Sequence, residues 1–282
     1  MFLKEERSAS TAHSGSHDIN TTTTGKQNDH IEYSPHKQHH QEPFSNQYNV
    51  NLQYDSVVPE AGRPTKLTIS VTEKSGATVR EYELVHDKIM HLIIVGDDLS
   101  YFAHIHPTLE NTKASFTITH TFPESGKYKL WVDFKPKGGN QTVVTFITNV
   151  IGLPVHKPVT LIHDGNYIKK SVDEKYQINL NLPERVIANN DVKITFNISD
   201  TSGNPITDLE PLMGAGGHSV IISNDMNEFL HVHPTEKVEH SWKGGPDISF
   251  KTNFPKQGLY KAWGQFQHQG RIIIADFTLK VS

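Results

Sequence analysis

No cysteine occurs among the 282 residues, which excludes disulfides, thiolate-held zinc and a cysteine nucleophile. No apolar run approaches the ~18–20 residues that a membrane-spanning helix needs. The net charge of −4 and a pI near 6.5 supply no basic surface for nucleic acid. The opening MFLKEERSAS lacks the apolar stretch of a secretory signal. There is no phosphate-cradling glycine loop, no nucleophilic triad and no pair of catalytic carboxylates. What is plentiful is histidine, with 18 in the chain.

A composition of 35% hydrophobic and 21% charged residues suits about two globular domains. Residues 1–45 are rich in Ser, Thr, Gln, Asn and His and almost free of aliphatic side chains. Such a segment cannot bury enough apolar surface to offset its ordering entropy, so it reads as a disordered histidine-rich tail. After it the chain repeats itself. YNVNLQ (48–53) matches YQINLN (176–181), KLTISV (66–71) matches KITFNI (193–198), and FPESGKYKLWVDF (122–134) matches FPKQGLYKAWGQF (254–266). The repeats run over about 46–150 and 174–282, joined by a linker over 151–173 with a possible strand at Val159 to Ile162. Apolar residues alternate at strand period, as at Leu67, Ile69 and Val71. Tyr128 and Tyr260 sit where the tyrosine corner of an immunoglobulin-like sandwich places its tyrosine. The expected fold is all-β, two tandem immunoglobulin-like β-sandwiches.

Each repeat carries one conspicuous hairpin. HLIIVGDDLSYFAHIHP (91–107) and HSVIISNDMNEFLHVHP (218–234) are identical at seven of 17 positions, and three of the seven are histidines at a constant offset. Asp97-Asp98 and Asn224-Asp225 lie midway, as a tight turn should. A turn centred there sets Gly96 opposite Leu99, His91 opposite His104, and His218 opposite His231. His106 and His233 follow two positions later on the same face. Three neutral imidazoles at the open, exposed end of each hairpin suit a first-row ion, with a fourth position left over. His91, His104, His106, His218, His231 and His233 are therefore the candidate ligands. The competing reading is a structural cluster of satisfied imidazoles.

Other residues carry less. His86 precedes His91 by five residues and Met213 precedes His218 by five, so the two are candidates for a variable fourth ligand. His120 lies on the apolar face of SFTITHTF and reads as a hydrogen-bonded core histidine. Glu83 and Glu210 read as solvated strand-end carboxylates, or as acceptors that orient imidazoles. Trp131, Trp263, Phe134 and Phe266 read as core or inter-domain packing. His156, His163, His240 and His268 have no partner in the other repeat.

The repeated H-x-H-P hairpin followed by FP-x-x-G-x-Y-x-x-W resembles a family of tandem-repeat bacterial proteins. More distantly it is similar to the small copper-handling domains of the CopC-like and YtkA-like types. The resemblance implies an extracytoplasmic metal-handling protein with copper as its ion; zinc is the alternative, and since the sequence places no general base, binding rather than catalysis is expected. It implies a metal-transport or membrane protein as partner. The chain lacks the N-terminal histidine and Met-rich loop of the CopC pattern. A second resemblance joins His104 and His106 to Glu110 as H-x-H-x-x-x-E, similar to the first metal motif of cupins and implying a metal-dependent bicupin enzyme. A purely structural or adhesive sandwich pair is the third reading.

Overall fold

The computed structural model describes residues 47–152, 159–232, 234 and 238–282. The tail read over 1–45 and the candidate ligand His233 lie outside the described residues, and so does His156. The first repeat contains β1 (Tyr48–Tyr54), β2 (Pro64–Glu73), β3 (Tyr82–Glu83), β4 (Met90–Gly96), β5 (Phe102–Ile105), β6 (Thr108–Glu110), β7 (Ser115–Thr121), β8 (Gly126–Pro136) and β9 (Thr142–Val150). The second contains β10 (Ile168–Lys170), β11 (Tyr176–Asn181), β12 (Asp191–Asp200), β13 (His218–Ser223), β14 (Phe229–Val232), β15 (Asp247–Asn253), β16 (Gly258–His268) and β17 (Arg271–Val281).

Each repeat is a two-sheet antiparallel sandwich of immunoglobulin type. In the first, β1-β2-β7-β6 faces a sheet in which β8 lies between β4 and β9 and β5 forms the edge. In the second, β10-β11-β12-β15 faces β14-β13-β16-β17. The strand β10 falls inside the expected linker and extends the second sandwich by pairing with β11; Val159 to Ile162 is not a strand. Both tyrosine corners form, Tyr128 donating its hydroxyl to the Glu124 carbonyl and Tyr260 to that of Lys256, each at 2.9 Å.

The period-two pattern decides which faces form the cores. Leu67, Ile69 and Val71 of β2 are buried on alternate positions, and so are Val192, Ile194, Phe196 and Ile198 of β12. Strands β4 and β13 break that rule, because every residue in them is buried. Leu92 and Ile94 point into the first sandwich's own core. Ile93 and Val95 join Val220 and Ile222 in a separate apolar cluster with Leu99, Trp131, Met226, Phe229 and Trp263. The outer faces of the two hairpin sheets thus pack on each other, which is why LIIV and VII run without alternation. Two ring stacks clamp the contact: Phe102 on Trp263, with centroids 4.7 Å apart, and Trp131 on Phe229, at 5.3 Å. The members of these stacks are equivalent residues of the two repeats, exchanged. Phe134 and Phe266 stay in their own sandwiches.

Candidate metal centre

The hairpin turns are centred one residue later than their turn motifs suggest, which displaces each cross-strand partner by two residues. Leu99 and Met226 adopt left-handed φ of 61° and 57°. The Asp98 carboxylate accepts from Ser100 N at 3.0 Å, and Asp225 accepts from Asn227 N, also at 3.0 Å. These side-chain turns make four-residue loops, so Gly96 N bonds the Tyr101 carbonyl and Ser223 N that of Glu228. His104 accordingly faces Ile93, and His231 faces Val220. The expected pairs His91 with His104 and His218 with His231 do not form. Because the displacement is two residues and side chains alternate with period two, each described hairpin histidine keeps its face.

That face is the inter-repeat contact, so the expectation of exposed hairpin ends is overturned. His91 and His218 are wholly buried, and the His231 side chain is 5% exposed. His91, His104 and His106 each offer a ring nitrogen, all within 4.8 Å of one another. His91 Nδ1 lies 2.9 Å from His104 Nε2 and 3.2 Å from His106 Nε2. The three ring centroids are 4.8–5.2 Å apart. His231 of the second repeat comes as close, at 5.2 Å from both His91 and His104. The two sets of histidines form one cluster at the centre of the contact.

Hydrogen bonds fix which nitrogen of each ring carries its proton. A carbonyl can only accept, so His91 donates Nε2–H to Val85 O at 2.7 Å, and His218 donates Nε2–H to Leu212 O at 2.9 Å. The other two anchors cross between repeats. His104 donates Nδ1–H to Gln265 Oε1 at 2.8 Å, and His231 donates Nδ1–H to Asp133 Oδ2 at 3.3 Å. Asp133 and Gln265 are equivalent positions, beside His91 and His218 across the ladder. Asp133 is buried and also accepts from Gln141 Nε2 at 2.9 and 3.0 Å. Outer partners of this kind orient a metal-binding imidazole and raise its basicity.

Burial favours the neutral form of these imidazoles. Burial pushes His104 down to about 4, and the neighbouring His91 adds to that. Burial likewise pushes His106 to about 3, with His104 and His91 contributing. Burial lowers His91, an effect that the Asp133 carboxylate partly opposes. Burial first, then the other imidazoles, hold His218 and His231 well below the usual histidine value. Neutral imidazole is the form that coordinates a metal.

Of the remaining candidates, His86 stands at the tip of a turn closed between Val85 and Lys88, with its ring 6.2 Å from that of His91. Met213 holds the equivalent place in the turn Leu212 to Ala215 and is half-buried. His120 is half-buried, 3.2 Å from the Tyr101 hydroxyl. Glu83 pairs with Lys135 and Glu210 with Lys243, the solvated strand-end role expected of them. Glu110 pairs with Lys66 and Lys113, so the cupin-like motif is not assembled around one point. His268 bridges Tyr176 and Asp208 at 2.9 Å each, a buried structural role that its lack of a counterpart concealed. Reading by residue type missed Asp133 and Gln265. Their matched places two residues after each tryptophan were the available signal.

Residues 43–152 and 170–282 each match one family, described as a domain of unknown function, DUF8832. No curated protein matches the chain. Among solved structures it is similar to an alpha-2-macroglobulin of Salmonella, at 11% identity and a TM-score of 0.28, covering 83% of this chain and 15% of that one. It is similar to the Escherichia coli adhesin FdeC at 15% identity and a TM-score of 0.26, covering 84% and 65%. A two-domain fibronectin type III segment of chicken tenascin matches at 10% identity and a TM-score of 0.22, covering 82% and 97%. The chain thus spans less than two thirds of the macroglobulin and of the adhesin.

Proposed function

The chain belongs to the DUF8832 family, and we propose that its paired repeats bind and handle a transition-metal ion through His91, His104 and His106. Copper is the ion of first choice, with zinc as the alternative that the same donors fit. One observation carries this reading. His91 Nδ1 and His104 Nε2 lie 2.9 Å apart, yet each ring has committed its proton elsewhere, to Val85 O and to Gln265 Oε1. Two lone pairs facing at that distance repel, and a cation accepting both removes the conflict. With metal–nitrogen bonds of about 2.0–2.1 Å, separations of 2.9 and 3.2 Å correspond to angles at the metal of about 90° and about 100°. A further position stays open for water or an incoming ligand. The buried Asp133 lowers the electrostatic cost of seating a cation there.

Binding rather than catalysis is the role. Among the described residues no carboxylate or other general base stands free beside the trio, Asp133 being tied to His231 and Gln141. The two-sheet order is that of an immunoglobulin-like domain, which leaves the cupin alternative without its fold. By resemblance to CopC-like and YtkA-like domains the role belongs outside the cytoplasm, with a metal-transport protein as partner.

Competitive titration of metal-stripped protein with Cu+ and with Zn2+ tests the reading. A tight ion, lost when His91, His104 and His106 are replaced together, is expected. Failure to retain any ion, or the same affinity in the triple variant, refutes it.

A further inference from the structure

The fold places a second set of imidazoles beside the first, and its members come from both repeats. The rings of His86, His218 and His231 lie at the corners of an equilateral triangle, each pair of centroids 5.9 Å apart. Three imidazoles around one tetrahedral ion have centroids about 5 Å apart, so this set is open by less than an ångström.

Two of the three rings are already oriented. His218 is held through Nε2–H by the Leu212 carbonyl, and His231 through Nδ1–H by the Asp133 carboxylate. This anchoring repeats that of His91 and His104, except that a carboxylate stands where the first set has an amide. His218 and His231 lie deep in the contact, whereas His86 is half-buried.

The placement of His86 is built in. It has φ of 51° and its neighbour Asp87 has 59°, a left-handed pair that costs free energy in residues other than glycine. The equivalent turn uses Met213 and Gly214, and the two turns meet. A Cβ on Gly214 would lie 2.5 Å from Asp87 Oδ2, so the glycine permits the close approach that brings the His86 turn against the second repeat. The ring at the tip of that strained turn lies 5.9 Å, centroid to centroid, from both His218 and His231 of the other copy.

We infer that His86, His218 and His231 form a second metal site, for the same imidazole-preferring class of ion, shared between the repeats. It rests on the reading of His91, His104 and His106 as a metal site only in that both would take the same ion. The two centres lie side by side, since His231 is 5.2 Å, ring to ring, from His91 and from His104. The first repeat supplies a ligand to each.

The test is zinc titration of the full chain in which the tail histidines (13, 17, 30, 36, 39 and 40) are glutamines, so that the tail adds no background. Two tight zinc ions per chain are expected. His86→Asn, which tolerates left-handed φ without an imidazole, should weaken one ion at least tenfold and leave the other within twofold. His86→Gly, which relieves the turn, should give the same loss. His104→Ala should weaken the other ion. Co2+ visible spectra then assign each loss, one set of imidazole-bound bands vanishing per variant. Two ions that both survive His86→Asn and His86→Gly unchanged overturn the ligand assignment. Saturation at a single ion that His104→Ala abolishes overturns the second site and leaves the first standing. A chain that binds no zinc overturns both.

Discussion

Acid should destabilise the metal-free protein steeply, through imidazoles that stay neutral in the fold. In an unfolded chain each histidine titrates near 6.5. In the fold burial holds His104 at about 4 and His106 at about 3. Between these values the unfolded chain binds more protons than the folded one. Stability is therefore full above about pH 6.5 and falls as pH drops towards 4. At pH 5 these two residues alone take up nearly two protons on unfolding, a slope of about 2.5 kcal/mol per pH unit. Solvent screening trims the share of half-buried His106. His91, His218 and His231 shift in the same direction and add to it. Against a total stability of about 5–15 kcal/mol, a loss of this size brings the metal-free form close to unfolding by pH 4. Urea denaturation in steps from pH 7 to pH 4 measures the slope. Replacing His104 and His106 together by Gln should remove about two protons from it. His120, also held at about 4 by burial, is present in both proteins and cancels. A flat profile between pH 6.5 and 4.5, or an unchanged slope in the double variant, refutes a buried neutral cluster.

Asp133→Asn should weaken metal binding about 10- to 100-fold by removing the carboxylate behind His231, as read by competition with a chelator. Gln265→Glu should strengthen binding by raising the basicity of His104, and an unchanged affinity would argue against that anchor. Phe229→Ala should cost about 3–5 kcal/mol in chemical denaturation, because it empties the stack on Trp131, and should weaken metal binding with it. His120→Ala should cost about 1 kcal/mol through the stranded Tyr101 hydroxyl while leaving metal affinity within twofold.

The architecture was legible because its signals are local. Alternation in β2 and β12, the two tyrosine corners and the internal repeat each depend on a few adjacent residues, and each appears in the fold. The hairpin register was not, because it turns on φ at Leu99 and Met226, two residues with no intrinsic preference for the left-handed region. Asp98 and Asp225 did hold the clue. An aspartate two residues before Ser100 or Asn227 caps a turn one position later than the Asp-Asp and Asn-Asp centres imply. The histidines still converge, since an even displacement cannot move a side chain across a sheet. A displacement of one residue would have put His104 and His106 on the opposite face from His91.

The environment of the cluster is a different matter, since it depends on which surfaces meet. An exposed hairpin rim would leave its histidines near 6.5 and would release a bound ion near pH 6, whereas burial at the contact would move that release lower. The signal for the contact was present in the unbroken apolar runs of β4 and β13, which only a strand covered on both faces can carry. It also explains why the pattern occurs twice. His104 takes its orienting bond from Gln265 of the second repeat, and His231 takes its own from Asp133 of the first. Each repeat anchors one of its rings itself, His91 on Val85 and His218 on Leu212, but needs the other repeat to orient His104 or His231. Symmetry of position does not bring equality of chemistry, because the same place holds an amide in one copy and a carboxylate in the other. An ion seated nearer Asp133 would gain a negative charge that one near Gln265 lacks, so on the proposed reading two otherwise equivalent halves would differ in affinity.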